Sequence, residues 1–268
     1  MKIIAVFGEG SSQRALAHRL HRLFSLAHVA QIRLAPKGRR KMFRSMTSVT
    51  LARPLRAAWT RMLRRFDARY PDWPDVPLSI HPSANDEALA ELIAGERPDL
   101  VLVSGTDLIS KRTLDRFGTK VMNLHTGISP YIRGAPNCTN WALALGEFDL
   151  IGNTVMWIDP GIDSGAIITT ERTPLTGRET LTELHFKVME HAHDLYCRAV
   201  AAFLAGRKLP SVPQKNIAEG RLFLTRDWGI SAMLRAVFNH RFRYGPICNR
   251  SEIRLVPLEP RSASRARA

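Results

Sequence analysis

Two periods of apolar residues run along this chain and divide it into elements. Lys2 to Phe7 is a short apolar run, Gly8-Glu9-Gly10-Ser11-Ser12 is a polar turn, and Leu16, Leu20, Leu23 and Leu26 then recur at helical spacing. That order predicts strand, glycine turn, helix. His28 to Leu34 predicts a second strand, after which the basic stretch Lys37-Gly38-Arg39-Arg40-Lys41 breaks the pattern. From Leu55 onward Trp59, Met62, Leu63, Phe66 and Tyr70 return at helical spacing, with Arg56, Arg61, Arg64 and Arg65 between them. This predicts a basic amphipathic helix.

Pro71, Pro74, Pro77 and Pro82 punctuate an extended region around Leu78 to His81, and Asn85 to Gly95 predicts a helix. Asp99 to Ser104 and Lys120 to His125 are continuous apolar runs of buried-strand length. Asn153 to Ile158 and Ala166 to Arg172 predict two more strands around a glycine-rich loop. A long helix follows, opened by the capping-box pattern Thr180-x-x-Glu183 and closed near Gly206. Strands alternating with helices imply an α/β fold with a doubly wound, mainly parallel sheet. Residues 1–210 form the main domain in this scheme, with a basic helical insertion at 36–72. Beyond Pro213 the pattern is irregular, so residues 211–268 read as a small C-terminal appendage, with Arg261 to Ala268 as a disordered tail.

Composition adds limits. With 268 residues, 45% hydrophobic and 24% charged, the chain can bury one sizeable core, and a fibrous or unstructured protein is excluded. Its apolar stretches fall short of the roughly 18 to 20 residues a spanning helix needs. Met1 to Phe7 reads as a strand instead of a signal peptide, so a cytoplasmic location is expected. Cys138, Cys197 and Cys248 are widely spaced and odd in number, which suggests buried packing residues and neither a disulfide framework nor a metal ribbon. The net charge of +15 is concentrated: residues 11–70 hold fifteen Lys or Arg and one acid, Asp67. Either an acidic partner (a phosphorylated substrate, nucleic acid or an anionic membrane surface) or a solvated basic face fits that distribution.

The chemistry centres on two short motifs. In Val121-Met122-Asn123-Leu124-His125 the strand period of two puts Asn123 and His125 on one face at the carboxyl end of a strand, where ligands bind in open parallel sheets. Asp159-Pro160-Gly161-Ile162-Asp163-Ser164-Gly165 sets an acid between glycines in a loop. An amide, an imidazole and a carboxylate in one place suit acyl transfer to an amine. The first two stabilise a developing oxyanion, while the carboxylate orients the imidazole and helps remove the amine's proton. The spacing of either motif alone is also met in turns and core packing. His185, His191 and His193 lie on one helix at intervals that do not suit a common metal ion, and no metal is expected.

The ordered set Asn123-Leu-His125-Thr-Gly-Ile-Ser-Pro130-Tyr-Ile-Arg133-Gly134, Trp141-Ala-Leu-Ala-Leu-Gly146-Glu147, Gly152-Asn-Thr154-Val155 and Gly161-Ile-Asp163-Ser-Gly165 closely resembles the folate-dependent formyltransferases. That family includes the glycinamide ribonucleotide, methionyl-tRNA and amino-sugar enzymes, and the match covers residues 99–175. The resemblance implies a Rossmann-like formyltransferase fold with Asn123, His125 and Asp163 as the catalytic three. It also implies 10-formyltetrahydrofolate as formyl donor, held near Ser104, Gly105, Thr106, Asp107 and Leu108 and near Asp159, Pro160, Gly161 and Ile162, largely by backbone groups. The family's usual His-Pro-Ser-Leu-Leu-Pro is His125-Thr-Gly-Ile-Ser-Pro130 here, and the basic segment 36–70 has no counterpart.

The acceptor is less legible. Gly10, Ser11 and Ser12 at a helix start resemble the phosphate loop of the glycinamide ribonucleotide enzymes, although Glu9 would repel an anion. Arg133 could pair with an acceptor phosphate or carboxylate, and Asn137, with Asn140 and Trp141, could line its pocket. The Pro130-to-Gly134 loop looks most like the amino-sugar branch, so the expected acceptor is a primary amine on an amino-sugar nucleotide or another phosphorylated small molecule. Methionyl-tRNA and glycinamide ribonucleotide remain alternatives. So do a formyltetrahydrofolate hydrolase and a non-catalytic RNA- or membrane-binding protein acting through residues 37–69. Oligomeric state is not read from the sequence.

Overall fold

The computed structural model describes residues 1–34, 53–245 and 252–258. The run Lys37 to Lys41, Cys248 and the tail from Arg261 lie outside the described residues. Seven strands form the main sheet: β1 (Ile3–Gly8), β2 (His28–Ile32), β3 (Leu78–His81), β4 (Leu100–Ser104), β5 (Lys120–His125), β7 (Gly152–Trp157) and β8 (Ile167–Arg172), in the order β3-β2-β1-β4-β5-β7-β8. The first five in that order are parallel, and β7 and β8 add antiparallel. Between β5 and β7 the short β6 (Arg133–Gly134) leaves the sheet and pairs in parallel with β9 (Leu222–Phe223).

The strand period sorts side chains onto two faces. Ile3, Ala5 and Phe7 of β1, with Leu100, Leu102, Met122 and Leu124, meet α1 (Ser11–Phe24) and α6 (Leu181–Leu204). Ile4, Val6, Val101, Val103 and Val121 meet α3 (Glu87–Glu96) and α4 (Lys111–Phe117) on the other side. This is the doubly wound arrangement that the sequence pattern implies. Local chemistry sets the helix ends: Ser110 accepts from Thr113 N–H at the start of α4, and Thr180 and Glu183 form the expected capping box at the start of α6.

The basic amphipathic helix is α2 (Arg53–Arg69). Leu55, Ala58, Met62 and Phe66 are buried, with Met62 and Phe66 against Ala15 of α1 and Met189 of α6, while Arg56, Arg61, Arg64 and Arg65 are exposed. The C-terminal segment, expected to be irregular, is ordered in part: Val212 bridges Ile167 at the edge of β8, and β9 pairs with β6. Helix α7 (Ile230–Phe242) packs Ala232 and Ala236 onto α5 (Cys138–Leu145), in a cluster that includes Ile132, Trp141 and Leu184. Small inward residues carry no strong apolar period, which is why the sequence pattern misses this helix. Cys138 and Cys197 are buried and free. Among the described residues no helix is long and apolar enough to cross a membrane.

One side chain ties α6 to the sheet where β4 and β5 end. Tyr196 is wholly buried; its hydroxyl accepts from Val103 N–H (3.0 Å) and donates to Met122 C=O (2.6 Å). Burial pushes its pKa well up, so the donor proton is retained. The hydroxyl bridges backbone groups of the neighbouring strands β4 and β5. Tyr196→Phe is expected to leave both groups without that partner, lowering stability by about 1–3 kcal/mol in a denaturant titration. Unaltered stability would show that the hydroxyl is not needed to satisfy them.

Candidate functional site

The carboxyl ends of β4 and β5, the turn after β1 and the β7–β8 loop border a cavity of about 570 Å³. Val103, Leu108, Ile109, Ile158 and Ile162 give it apolar walls, and Asn123, His125 and Asp163 all line it. Asn123 and His125 arrive on the same strand face, the face of Val121, as their spacing requires. His125 is 8% exposed, at the last position of β5.

Asp163 needs more support, because its loop has no sheet to hold it. Asp159 Oδ1 accepts from Gly161 N–H (3.1 Å) and from Ser164 Oγ–H (2.6 Å), folding the loop onto itself. Gln214, from the C-terminal segment, donates its Nε2 protons to the carbonyls of Asp163 (2.7 Å) and Gly165 (2.9 Å). Gly165 has no room for a side chain, since a Cβ would fall 1.8 Å from the Trp157 carbonyl oxygen. So braced, Asp163 is held at φ 47°, the left-handed region that a non-glycine residue keeps only when its surroundings fix it. Its Oδ1 then lies 3.4 Å from His125 Nδ1, and its Oδ2 accepts from Gly134 N–H (3.1 Å).

On the far side of the ring, His125 Nε2 is 3.4 Å from the Ile132 carbonyl oxygen and 3.5 Å from Cys138 Sγ. A Cβ at Gly127 would sit 2.6 Å from that nitrogen, so only glycine leaves the ring its place. These contacts are long for hydrogen bonds, and such contacts commonly tighten when substrate binds. Burial alone would lower the His125 pKa; the Asp163 carboxylate and then Cys138 outweigh it, and the imidazole is pushed up to about 10. A ring in that state is a proton donor at neutral pH and not a base.

Of the residues expected to hold a donor, Ser104, Gly105, Thr106, Asp107, Leu108, Asp159, Gly161 and Ile162 line the cavity, and Pro160 is not among its walls. Asp107 also has a structural task, accepting from Ser83 Oγ–H (2.5 Å) and Ala84 N–H (2.8 Å). Gly10 and Ser12 line the cavity; Ser11 does not, and its hydroxyl donates to Leu63 C=O (2.8 Å). Arg133 and Asn137 are also outside the walls. Arg133 sits on β6 against Gly220 with its Nε buried and unpaired, and Asn137 caps α5 by accepting from Asn140 N–H (2.9 Å). Four contributors carry no local signal: Gln13, and Trp59 and Leu63 of α2, which line the cavity, and Gln214, which braces its loop. The helix that interrupts the pattern is thus a wall of the site. Among the described residues no group of three or more His, Cys, Asp or Glu is placed to hold a metal.

Residues 1–200 match the family model described as Formyl transferase. A curated methionyl-tRNA formyltransferase from Finegoldia magna is 35% identical over 117 residues, covering 43% of this chain and 37% of that protein. The chain therefore spans well under half the length of this curated relative. Among solved structures, glycinamide ribonucleotide transformylase 1 from Symbiobacterium toebii superposes with a TM-score of 0.55 at 21% identity, over 79% of this chain and 94% of the other. An N-formyltransferase from Helicobacter canadensis, in complex with folinic acid and dTDP-3-aminofucose, gives 0.56 at 14% identity, over 93% and 85%. These structures share the fold.

The electrostatics of the site can be titrated. In the parent, NMR should show His125 protonated through neutral pH and losing its proton near 10, against an ordinary value of 6.5. Because the folded value is raised, the ion pair's stabilisation is fully present below about 6.5 and is lost as pH rises through about 10. In Asp163→Asn the largest raising influence is gone, and His125 should lose its proton at a lower pH than in the parent. A parent His125 that is already neutral at pH 7 would overturn this assignment.

Proposed function

The chain belongs to the formyl transferase family, and we propose that it transfers a formyl group from 10-formyltetrahydrofolate to a primary amine at the cavity that Asn123, His125 and Asp163 line. The observation that carries this reading is the meeting of an amide, a raised-pKa imidazole and a braced carboxylate within one apolar-walled space. About 570 Å³ lies within the range of small-molecule sites. The donor would sit against the backbone of residues 104–108 and 159–163 and supply the activated formyl carbon.

Each side chain has one task in this mechanism. His125, kept protonated by Asp163, presents a positive donor to the formyl oxygen as negative charge gathers there, and the Asn123 amide presents a neutral one. Asp163 takes the proton that the amine must lose as its nitrogen bonds to carbon, work that an amide cannot do, and that proton passes to the folate nitrogen as its bond to the formyl carbon breaks. Leu63 and Trp59 of α2 and Ile162 of the loop keep water from the reacting carbon, which favours the amine over hydrolysis. Residues 1–210 are the catalytic domain in this scheme, and the extension from 211 completes the site through Gln214.

The acceptor we favour is an amino-sugar nucleotide or another phosphorylated small amine, on the resemblance of the Pro130-to-Gly134 loop to that branch. The Finegoldia magna relative favours a second reading, the charged initiator tRNA. The exposed arginines of α2, whose inner side reaches the cavity, suit a polyanion of that kind. A mass-shift assay with amino-sugar nucleotides, glycinamide ribonucleotide and charged initiator tRNA separates these readings. Formate released at the same rate without any amine would point to a hydrolase, and no binding of a stable folate analogue by calorimetry would refute the proposal.

With the acceptor found, Asp163→Asn and His125→Ala are each expected to lose on the order of a hundredfold or more in turnover. Their combined loss should be well short of the product, since the two act as a unit. Asn123→Ala should follow the same pattern with folate affinity retained. An Asp163→Asn variant turning over at the parent rate between about pH 6 and 9 would rule out the carboxylate's role as proton acceptor.

A further inference from the structure

Helix α7 buries Ala232 and Ala236, packs Met233 and Val237 half-buried beside them, and turns a second row of large apolar side chains outward. Ala232, Ala236 and Asn239 are buried, whereas Ile230, Leu234, Phe238 and Phe242 are 41%, 46%, 56% and 68% exposed. Those four recur at every fourth position and form a continuous stripe, with the rings of Phe238 and Phe242 in contact at 5.0 Å between centroids. Scattered apolar residues on a surface need no explanation, but an ordered stripe along one helix marks an interaction face.

Specific bonds fix the rotation of α7 about its axis. Asn239 Nδ2 donates to the carbonyls of Leu143 (2.8 Å) and Ala144 (3.2 Å) in the last turn of α5. The ring of His240 contacts the Glu179 carbonyl (3.0 Å), and the Tyr244 hydroxyl just beyond the helix donates to the Glu179 carboxylate (2.7 Å). Turning the helix to hide its stripe would break all of these and expose the alanine side. The stripe is held outward.

Charge narrows the choice of occupant. The helix carries Arg235 and Arg241 and no acid, and the Arg241 guanidinium lies over the Phe242 ring at 5.4 Å. A partner must therefore offer an apolar layer to the stripe and negative charge to the arginines around it. A nucleic-acid backbone supplies the charge without the apolar layer. A second copy would set the same arginines of a +15 chain against each other. A bilayer containing anionic lipid supplies both, with charged headgroups outside and hydrocarbon beneath.

We propose that α7 is an interfacial helix that docks the protein reversibly onto an anionic lipid surface, with Leu234, Phe238 and Phe242 entering the acyl boundary and Arg235 and Arg241 at the headgroups. The test uses the full chain and vesicles of phosphatidylcholine with and without phosphatidylglycerol. Co-sedimentation is expected only with the anionic vesicles, weakening as salt is added. Phe238→Ser and Phe242→Ser together should reduce binding about tenfold or more while leaving the thermal melt unchanged, because both rings are exposed. Phe238→Trp gives a readout independent of that pair, with a blue-shifted emission expected on adding anionic vesicles. No binding to anionic vesicles, full binding by the serine variant, or a serine variant that converts a dimer to monomer in sedimentation velocity would each overturn the proposal. The last outcome would assign the stripe to a second copy.

Discussion

A buried imidazole stays charged only if a carboxylate is held beside it, and the architecture of this site follows from that requirement. Burial opposes the charge on His125; Asp163 at 3.4 Å restores it. The pair could not form from β5 alone, since the carboxylate lies in a loop 38 residues later in the chain than the ring. The chain therefore brings the acid in from the opposite side and holds it at left-handed φ. Gln214 and Gly134 N–H take up its backbone and side-chain bonds, Asp159 ties the loop through Gly161 and Ser164, and Gly127 leaves the ring its space.

The same economy of contacts links the site to the core. Tyr196 is at once a core side chain of α6 and the hydrogen-bonding partner of the strands that carry Asn123 and His125. Its hydroxyl allows β4 and β5 to end side by side at the cavity without leaving backbone groups unpaired in an apolar surrounding. Helix α2 buries Met62 and Phe66 against α1 and α6 and so carries Trp59 and Leu63 to the cavity wall. Stability and chemistry rest on the same side chains here, so variants at these positions should be read with both in view.

The C-terminal segment has two faces with different physics. Inward, it supplies Gln214 to the acid loop and packs Ala232 and Ala236 onto α5. Outward, α7 leaves an apolar stripe with arginines around it. A segment attached only for packing would bury its large side chains, and this one exposes them while hydrogen bonds hold its rotation. Its inner side braces the loop of the candidate site through Gln214, and its outer face carries the stripe proposed to meet a lipid surface.

Local pattern was enough to read the alternating strands and helices, because side-chain period is a property of successive residues. The spans of β5 and α6, the Thr180 capping box and the shared face of Asn123 and His125 all follow from it. The ordered motifs from residue 99 to 175 were also legible, and with them the family. What the pattern could not carry were contacts between residues far apart in the chain. Arg133 and Asn137 look like substrate ligands in a loop, yet they stand outside the cavity walls, with Asn137 occupied by a helix cap. Gln214 and Trp59 look like ordinary surface and core residues, yet one braces the acid loop and the other lines the cavity. Helix α7 was invisible because its inward face is alanine and asparagine, whose burial depends on α5 being there to receive them. Sequence alone determined the elements and the shared face of Asn123 and His125, since each depends on neighbours along the chain. The tertiary structure alone decided how the acid is held, what walls the cavity and which face is left exposed, since each depends on surfaces that exist only once the elements have packed.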